Sequence, residues 1–126
     1  MSTPVRLSSV TVNCAMGDAQ ALADFYAVVT DGEVTFCRGG WATVETLGGR
    51  IDIQAVEAYE RPQWPGAAGT SLLHLDFLVD DLDAAEAKIL AAGAVRADFQ
   101  PNAGHCLVFA DPAGHPFCLT TLDELG

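Results

Sequence analysis

Basic residues are scarce. Six Lys and Arg stand against seventeen Asp and Glu, a formal charge of −11 over 126 residues. General nucleic-acid binders gain affinity by neutralising phosphates, and anionic lipid attracts basic clusters. Neither nucleic acid nor a membrane surface is therefore an expected partner. Long apolar runs are also missing, and nothing approaches the ~20 residues of a spanning helix. Met1 to Arg6 lack the basic start and apolar stretch of a secretory signal, so the expected location is the cytoplasm. Cys14, Cys37, Cys106 and Cys118 form neither a C-x-x-C pair nor a zinc-finger spacing. In a reducing compartment they are expected as free thiols. No Gly-x-Ser-x-Gly elbow and no Walker phosphate loop occurs. What remains is a globular composition, 50% hydrophobic and 18% charged. A chain of this size buries roughly two thirds of its unfolded surface and needs no metal or disulfide merely to fold.

The chain repeats itself. Residues 5–14 alternate apolar with small polar side chains, the mark of a half-buried strand. Asp18 opens a helix over 19–29, with Leu22, Phe25, Tyr26 and Val29 at spacings of three and four. Thr30-Asp31-Gly32 ends it, with Gly32 where a helix C-terminus favours glycine. Strands over 33–37, 41–47 and 50–56 follow, separated by Gly39-Gly40 and Gly48-Gly49. The second half runs in the same order. A strand over 72–79 leads through Asp80-Asp81-Leu82-Asp83 into an Ala-rich helix ended by Gly93. Strands over 94–99, 106–110 and 116–121 complete it. Superposing Ser9 on His74 puts Asp18 on Asp83, and Gly32 opposite Gly93 after a four-residue excess in the first helix.

Both halves thus read β-α-β-β-β, within one domain over 1–126. Module one is 5–57, a Pro-, Gly- and Ala-rich connector is 58–71, and module two is 72–122. The expected fold class is α+β, two such modules forming a concave mixed sheet with helices outside. Period-two alternation divides each strand between a helix side and a cavity side. The helix side takes Val10, Val12, Ile51, Ile53, Leu75, Phe77, Val79, Phe117 and Leu119. The cavity side takes Ser9, Thr11, Asn13, Asp52, Gln54, His74, Asp76, Leu78, Pro116, Cys118 and Thr120. A polar centre to the concave face is where chemistry is expected.

Three segments carry a resemblance. Ala23-Asp24-Phe25-Tyr26 with Gly32-Glu33-Val34 looks like a first helix and its exit. The run from His74 through Asp76, Asp80 and Asp81 to Leu82 looks like the opening of a second module. Asp111-Pro112-Ala113-Gly114-His115-Pro116-Phe117 looks like the turn before a last strand. With this duplicated order, the chain resembles the vicinal oxygen chelate superfamily of glyoxalase I, ring-cleaving dioxygenases and bleomycin-resistance proteins. Arg61-Pro62-Gln63-Trp64-Pro65 ahead of His74 is similar to its small glyoxalase-like branch. The family's metal enzymes place four ligands, usually His, Glu and Gln, on strands one, four, five and eight. Such a set suits a divalent ion that polarises adjacent substrate oxygens. By position, the resemblance implies Ser9, Asp52 (or Gln54 in another register), His74 and Cys118. His74 matches, Asp52 substitutes, and Ser9 and Cys118 depart. The resemblance also implies a homodimer.

The reading favoured by these residues is a small-molecule-binding protein without the full metal site and with no cofactor. It would sequester a drug or metabolite as bleomycin-resistance proteins do, its acidity suiting a cationic ligand. His74 and Asp76 are then hydrogen-bonded lining. The alternative is a metal-dependent lyase, isomerase or dioxygenase, with Zn, Ni, Fe or Mn held by His74, Asp52 and Cys118 around a vacant corner. Trp41, sharing a strand face with Thr43 and Glu45, is an aromatic wall for a flat ligand or plain packing. Trp64 anchors a stiff connector or serves as a lid, and His105 reaches the cavity rim. His115 orients its turn. Cys14 reads as a small core residue, and Cys37 carries no partner signal. The Asp80, Asp81, Asp83 and Glu86 cluster favours a helix start, not a calcium loop.

Overall fold

The computed structural model describes residues 3–64 and 73–121. Two compact units, Met1–Glu57 and Ala58–Gly126, divide the chain where the first module was expected to end. None of the described helices is long and apolar enough to cross a membrane.

The first unit contains β1 (Val10–Ala15), α1 (Ala19–Thr30), β2 (Glu33–Arg38), β3 (Trp41–Thr46) and β4 (Gly49–Val56). Its sheet runs β1-β4-β3-β2, with β1 parallel to β4 and the other pairs antiparallel. A parallel pair needs a long crossover, and α1 with the β2–β3 hairpin supplies it. Leu22, Phe25 and Tyr26 of α1 are buried, as are Val12, Cys14, Ala42, Val44, Ile51 and Ile53 on the strands. Fully burying one large apolar side chain contributes roughly 1.5–3 kcal/mol. Val10 has the expected facing but is 41% exposed, since it starts an edge strand with no neighbour beyond it.

The second unit contains β5 (Leu75–Leu78), α2 (Leu82–Ala92), β6 (Val95–Arg96), β7 (Cys106–Ala110) and β8 (Pro116–Thr120). Its order, β5-β8-β7-β6, repeats the first, with β5 parallel to β8. Phe109 and Phe117 stack at 5.9 Å, and Phe77 meets Phe117 edge-on at 5.8 Å. In α2 only Ile89 is buried, against five residues of α1. The Ala-rich sequence forms a good helix but offers little area to bury. The expected strand over 94–99 shrinks to two residues, because Gln100 takes over the pairing. Its side-chain amide donates to the Val108 carbonyl, and its oxygen accepts from the Val108 N–H, both at 2.8 Å.

Helix ends depart from the sequence superposition. Asp81, not Asp83, is the N-cap of α2, accepting from the Asp83 and Ala84 amides at 3.0 and 3.2 Å. Asp18 makes no such side-chain bond. The helices differ by one residue, 12 against 11, so the four-residue excess does not lie in the first helix. Two of the four lie in β1, which runs two residues further than β5 before loops of equal length, 16–18 and 79–81. At the C-termini, Gly93 (φ 117) corresponds to Asp31 (φ 53), not to Gly32. Each takes the left-handed conformation that closes a Schellman-type end. Asp is one of the few side chains that tolerates it. Gly32 is required for a different reason, since a Cβ there would sit 2.5 Å from the Glu45 carbonyl oxygen. Gly32→Ala should therefore cost about 1–3 kcal/mol, because the colliding backbone must shift. A urea midpoint unchanged from wild type would refute that account.

Candidate functional site

In the first unit the polar side chains gather on the β4 rungs. Asp52 pairs with Thr11 on one side and Thr43 on the other, and Gln54 with Asn13 and Trp41. Asp52 is only 2% exposed. Its oxygens accept from Ser9 Oγ at 2.8 Å and Thr43 Oγ1 at 2.7 Å. Arg50 closes on it from two residues away, Nε at 3.0 and 3.2 Å and Nη2 at 2.9 Å. Burial alone would raise the Asp52 pKa, but the bonds from Arg50, Thr43 and Ser9 together hold it below its ordinary 3.8. The carboxylate is charged and fully engaged. Thr11, Asn13 and Gln54 are exposed and Trp41 is half-buried on that face.

The second unit repeats the arrangement with other chemistry. The β5–β8 rung that mirrors Thr11–Asp52 is Asp76–Cys118. His74, one residue ahead of β5, bonds through Nε2 to Asp76 Oδ1 at 3.2 Å. A pair this exposed adds little stability. The donor atoms of His74, Asp76 and Cys118 all lie within 4.8 Å of one another. Cys118 is 7% exposed. Burial, with the neighbouring Asp76 and Cys106, pushes its thiol up to about 12. Imidazole nitrogen, carboxylate oxygen and sulfur form a donor set that fits a thiophilic divalent ion better than a hard one. Holding it would require Cys118 to lose its proton.

Of the ligand set suggested by position, His74 and Cys118 come together within the second unit, while Asp52 is committed to Ser9, Thr43 and Arg50 in the first. Asp76, read from the sequence only as lining, joins the cluster. Trp64 donates Nε1–H to the Phe99 carbonyl at 3.4 Å, and His105 is exposed at the start of β7. At His115 the Tyr59 hydroxyl meets Nε2 at 3.1 Å and donates to the Ala113 carbonyl at 2.7 Å, while the turn itself is held by Asp111 Oδ1, which accepts from the Ala113 and His115 amides at 2.8 and 3.0 Å. Cys14 is buried, Cys37 is exposed, and none of the four cysteines is in a disulfide. Missed from the sequence were Arg50 and Thr43 as partners of Asp52, and Cys106 beside Cys118. Period two does put Arg50 on the Asp52 face, and that signal was available. Ahead of β1, a solvent-open hollow of about 460 Å³ is lined by Pro4, Arg6, Leu7 and Ser8, none of them an expected pocket residue.

Two outcomes follow from these environments. Asp52→Asn should destabilise the fold by about 1–3 kcal/mol at neutral pH, through loss of charge-assisted bonds to a buried group. A depressed folded-state pKa gives stability that is present above 3.8 and lost as pH falls below it. The gap between variant and wild type in urea should therefore narrow in acid; a gap constant from pH 7 to pH 3 would contradict this. At pH 8, iodoacetamide should modify Cys37 rapidly and leave Cys118 protected, as mass-mapped peptides would show.

A family model described as a glyoxalase-like domain matches residues 9–120. No curated protein sequence matches the chain. Among solved structures, it is similar to the fosfomycin resistance protein FosX from Mesorhizobium loti, with TM-score 0.69 and 19% identity over 98% of each chain. A mutant FosX from Listeria monocytogenes, complexed with Mn(II) and 1S,2S-dihydroxypropylphosphonic acid, gives TM-score 0.68 at 18% identity, over 98% of this chain and 100% of that one. A glyoxalase family protein from Enterococcus faecalis gives 0.67 at 21%, over 91% and 96%. Likeness at these identities speaks for the fold alone. The family match spans both β-α-β-β-β modules, and the chain belongs to the glyoxalase-like domain family of the vicinal oxygen chelate superfamily.

Proposed function

We propose that this protein binds a small organic molecule by polar and aromatic contacts, without chelating it to a metal ion. The observation that supports this reading is Asp52. The carboxylate at the family's fourth-strand ligand position is buried, charged and saturated by Ser9, Thr43 and Arg50. It serves as a fixed floor and is spent as a metal ligand. Thr11, Asn13 and Gln54 on the same face offer hydroxyl and amide groups beside the Trp41 ring. A few convergent polar groups next to an aromatic plane are what small-molecule sites use. His74, Asp76 and Cys118, with Trp64 and His105, are proposed as a separate polar lining within the second unit. The role fits sequestration of a drug or metabolite. The net charge of −11 favours a cationic one. Pairing into a homodimer is part of the proposal, by likeness to the family.

A second reading has its own observation, the His74, Asp76 and Cys118 cluster. Three protein ligands with a vacant position suit metal-dependent lyase, isomerase or dioxygenase chemistry. A bound ion held by these three would there polarise substrate oxygens.

Metal-stripped protein screened by thermal shift against cationic antibiotics and aromatic metabolites separates the two. The binding reading expects a ligand that raises Tm without metal and loses about tenfold or more in affinity with Trp41→Ala, for want of the aromatic surface. Binding or turnover that appears only on adding a divalent ion, and vanishes with His74→Ala, would put the enzyme reading first. Sedimentation velocity of the same sample reads the oligomeric state.

A further inference from the structure

Val34 and Phe36 stand two residues apart in β2, so unbroken alternation would turn both toward the buried side of the sheet. Val34 obeys, opposite buried Val44. Phe36 does not. The register shift after Val34 makes Thr35 the extra residue, and Phe36 pairs with Thr43. A regular ladder would have set Phe36 opposite Ala42 and Cys37 opposite Trp41. The shift instead sets Cys37 opposite Ala42 and Arg38 opposite Trp41. One inserted residue thus moves a phenyl ring and a guanidinium onto the face that carries Thr43, Asp52 and Gln54.

Burial does not explain the move. Phe36 is left 48% exposed on the polar face, although an aromatic ring gains most by being buried. Bulges commonly re-aim side chains beside functional sites. Phe36 and Trp41 are diagonal neighbours across the β2–β3 pair, about 7–8 Å apart at the backbone and within reach of aromatic side chains. Among the described residues neither ring has a ring partner, and Arg38 has no ion-pair partner. Arg50 on the same face is engaged by Asp52, which leaves Arg38 as its uncommitted cation. A guanidinium fork matches a carboxylate through two parallel hydrogen bonds.

We propose that the β2 bulge builds a two-ring subsite, Phe36 beside Trp41, which holds a flat aromatic carboxylate with its acid group on Arg38. The inference rests on reading this face as a small-molecule site, and it sets the charge of the guest locally. The net charge of −11 acts at a distance, where salt screens it beyond about 8–10 Å. At contact Arg38 decides, with Gln54 and Asn13 next along the same row of paired residues. Two rings favour a planar guest over a puckered one, because stacking needs a flat face.

Isothermal titration calorimetry of the full chain with three probes tests this. They are naphthoate, flat and anionic; naphthylmethylammonium, flat and cationic; and cyclohexanecarboxylate, anionic but puckered. Naphthoate should bind about tenfold or more tighter than either of the others. Phe36→Ala and Trp41→Ala should each weaken naphthoate about tenfold, and Arg38→Gln should erase its advantage over the ammonium probe. Phe36→Leu keeps the apolar bulk without the ring and should lose binding as Phe36→Ala does, which covers the case of a poorly folded alanine variant. A Phe36→Leu protein that binds like wild type, while Trp41→Ala does not bind, would exclude the two-ring subsite and leave the role of Trp41 standing. Equal affinity for naphthylmethylammonium or for cyclohexanecarboxylate would overturn the choice of guest. Failure of naphthoate to bind at millimolar concentration would sink the proposal, whereas the organic-ligand reading falls only if the thermal-shift screen also yields nothing.

Discussion

Everything at the candidate sites follows from the parallel pairing of each module's first strand with its last. That pairing cannot be made by a tight turn, so a helix and a hairpin must intervene, and the last strand becomes central in the sheet. Once β1 lies on β4 and β3 flanks it, rung by rung, Asp52 has a threonine on each side. Once β5 lies on β8, Asp76 meets Cys118 by the same rule. The two modules thus build equivalent rungs and fill them differently. One holds a saturated carboxylate, the other an imidazole, a carboxylate and a thiol. Duplication supplied a place twice, and divergence gave it two chemistries.

Much of this was readable in the sequence. The element order was legible because strand alternation and Gly-Gly turns are local signals, and 106–110 matches β7 residue for residue. The facing of Asp52, His74, Asp76 and Cys118 was legible for the same reason, since period two needs no tertiary knowledge. What failed was finer. A β6 of two residues was hidden because the Gln100 side chain replaces backbone pairing, and no propensity reports that. Asp81 as N-cap was hidden because three aspartates stand near that helix start and any could cap it. Gly32 looked like a helix terminator, whereas its need is the close approach of the Glu45 carbonyl from a neighbouring strand.

The sites were less legible than the fold, for a physical reason. Which groups face one way is a property of one strand, but which groups touch depends on register between strands. Arg50 reaching Asp52 is nearly local and lay within reach of the reading. That Cys106 shares a face with Cys118 depends on the β7–β8 ladder, and a one-residue slip would have turned the two sulfurs to opposite faces. The alternative ligand set of His74, Asp52 and Cys118 did not allow for the local partners of Asp52. A carboxylate flanked by Thr43, Ser9 and Arg50 finds its hydrogen bonds inside its own module.

The outer strands carry a further consequence. Exposed sheet edges invite pairing with other chains, and proteins blunt them with short strands, charges and bulges. Here β2, the outer strand of the first sheet, breaks its register between Val34 and Phe36. In the second sheet, β6 has only two residues, one of them Arg96, whose guanidinium is held by Glu86 of α2. A bulged edge and a truncated, charged one make poor templates for fibril growth. The same shortening that leaves the second sheet irregular thus guards a marginally buried module against aggregation.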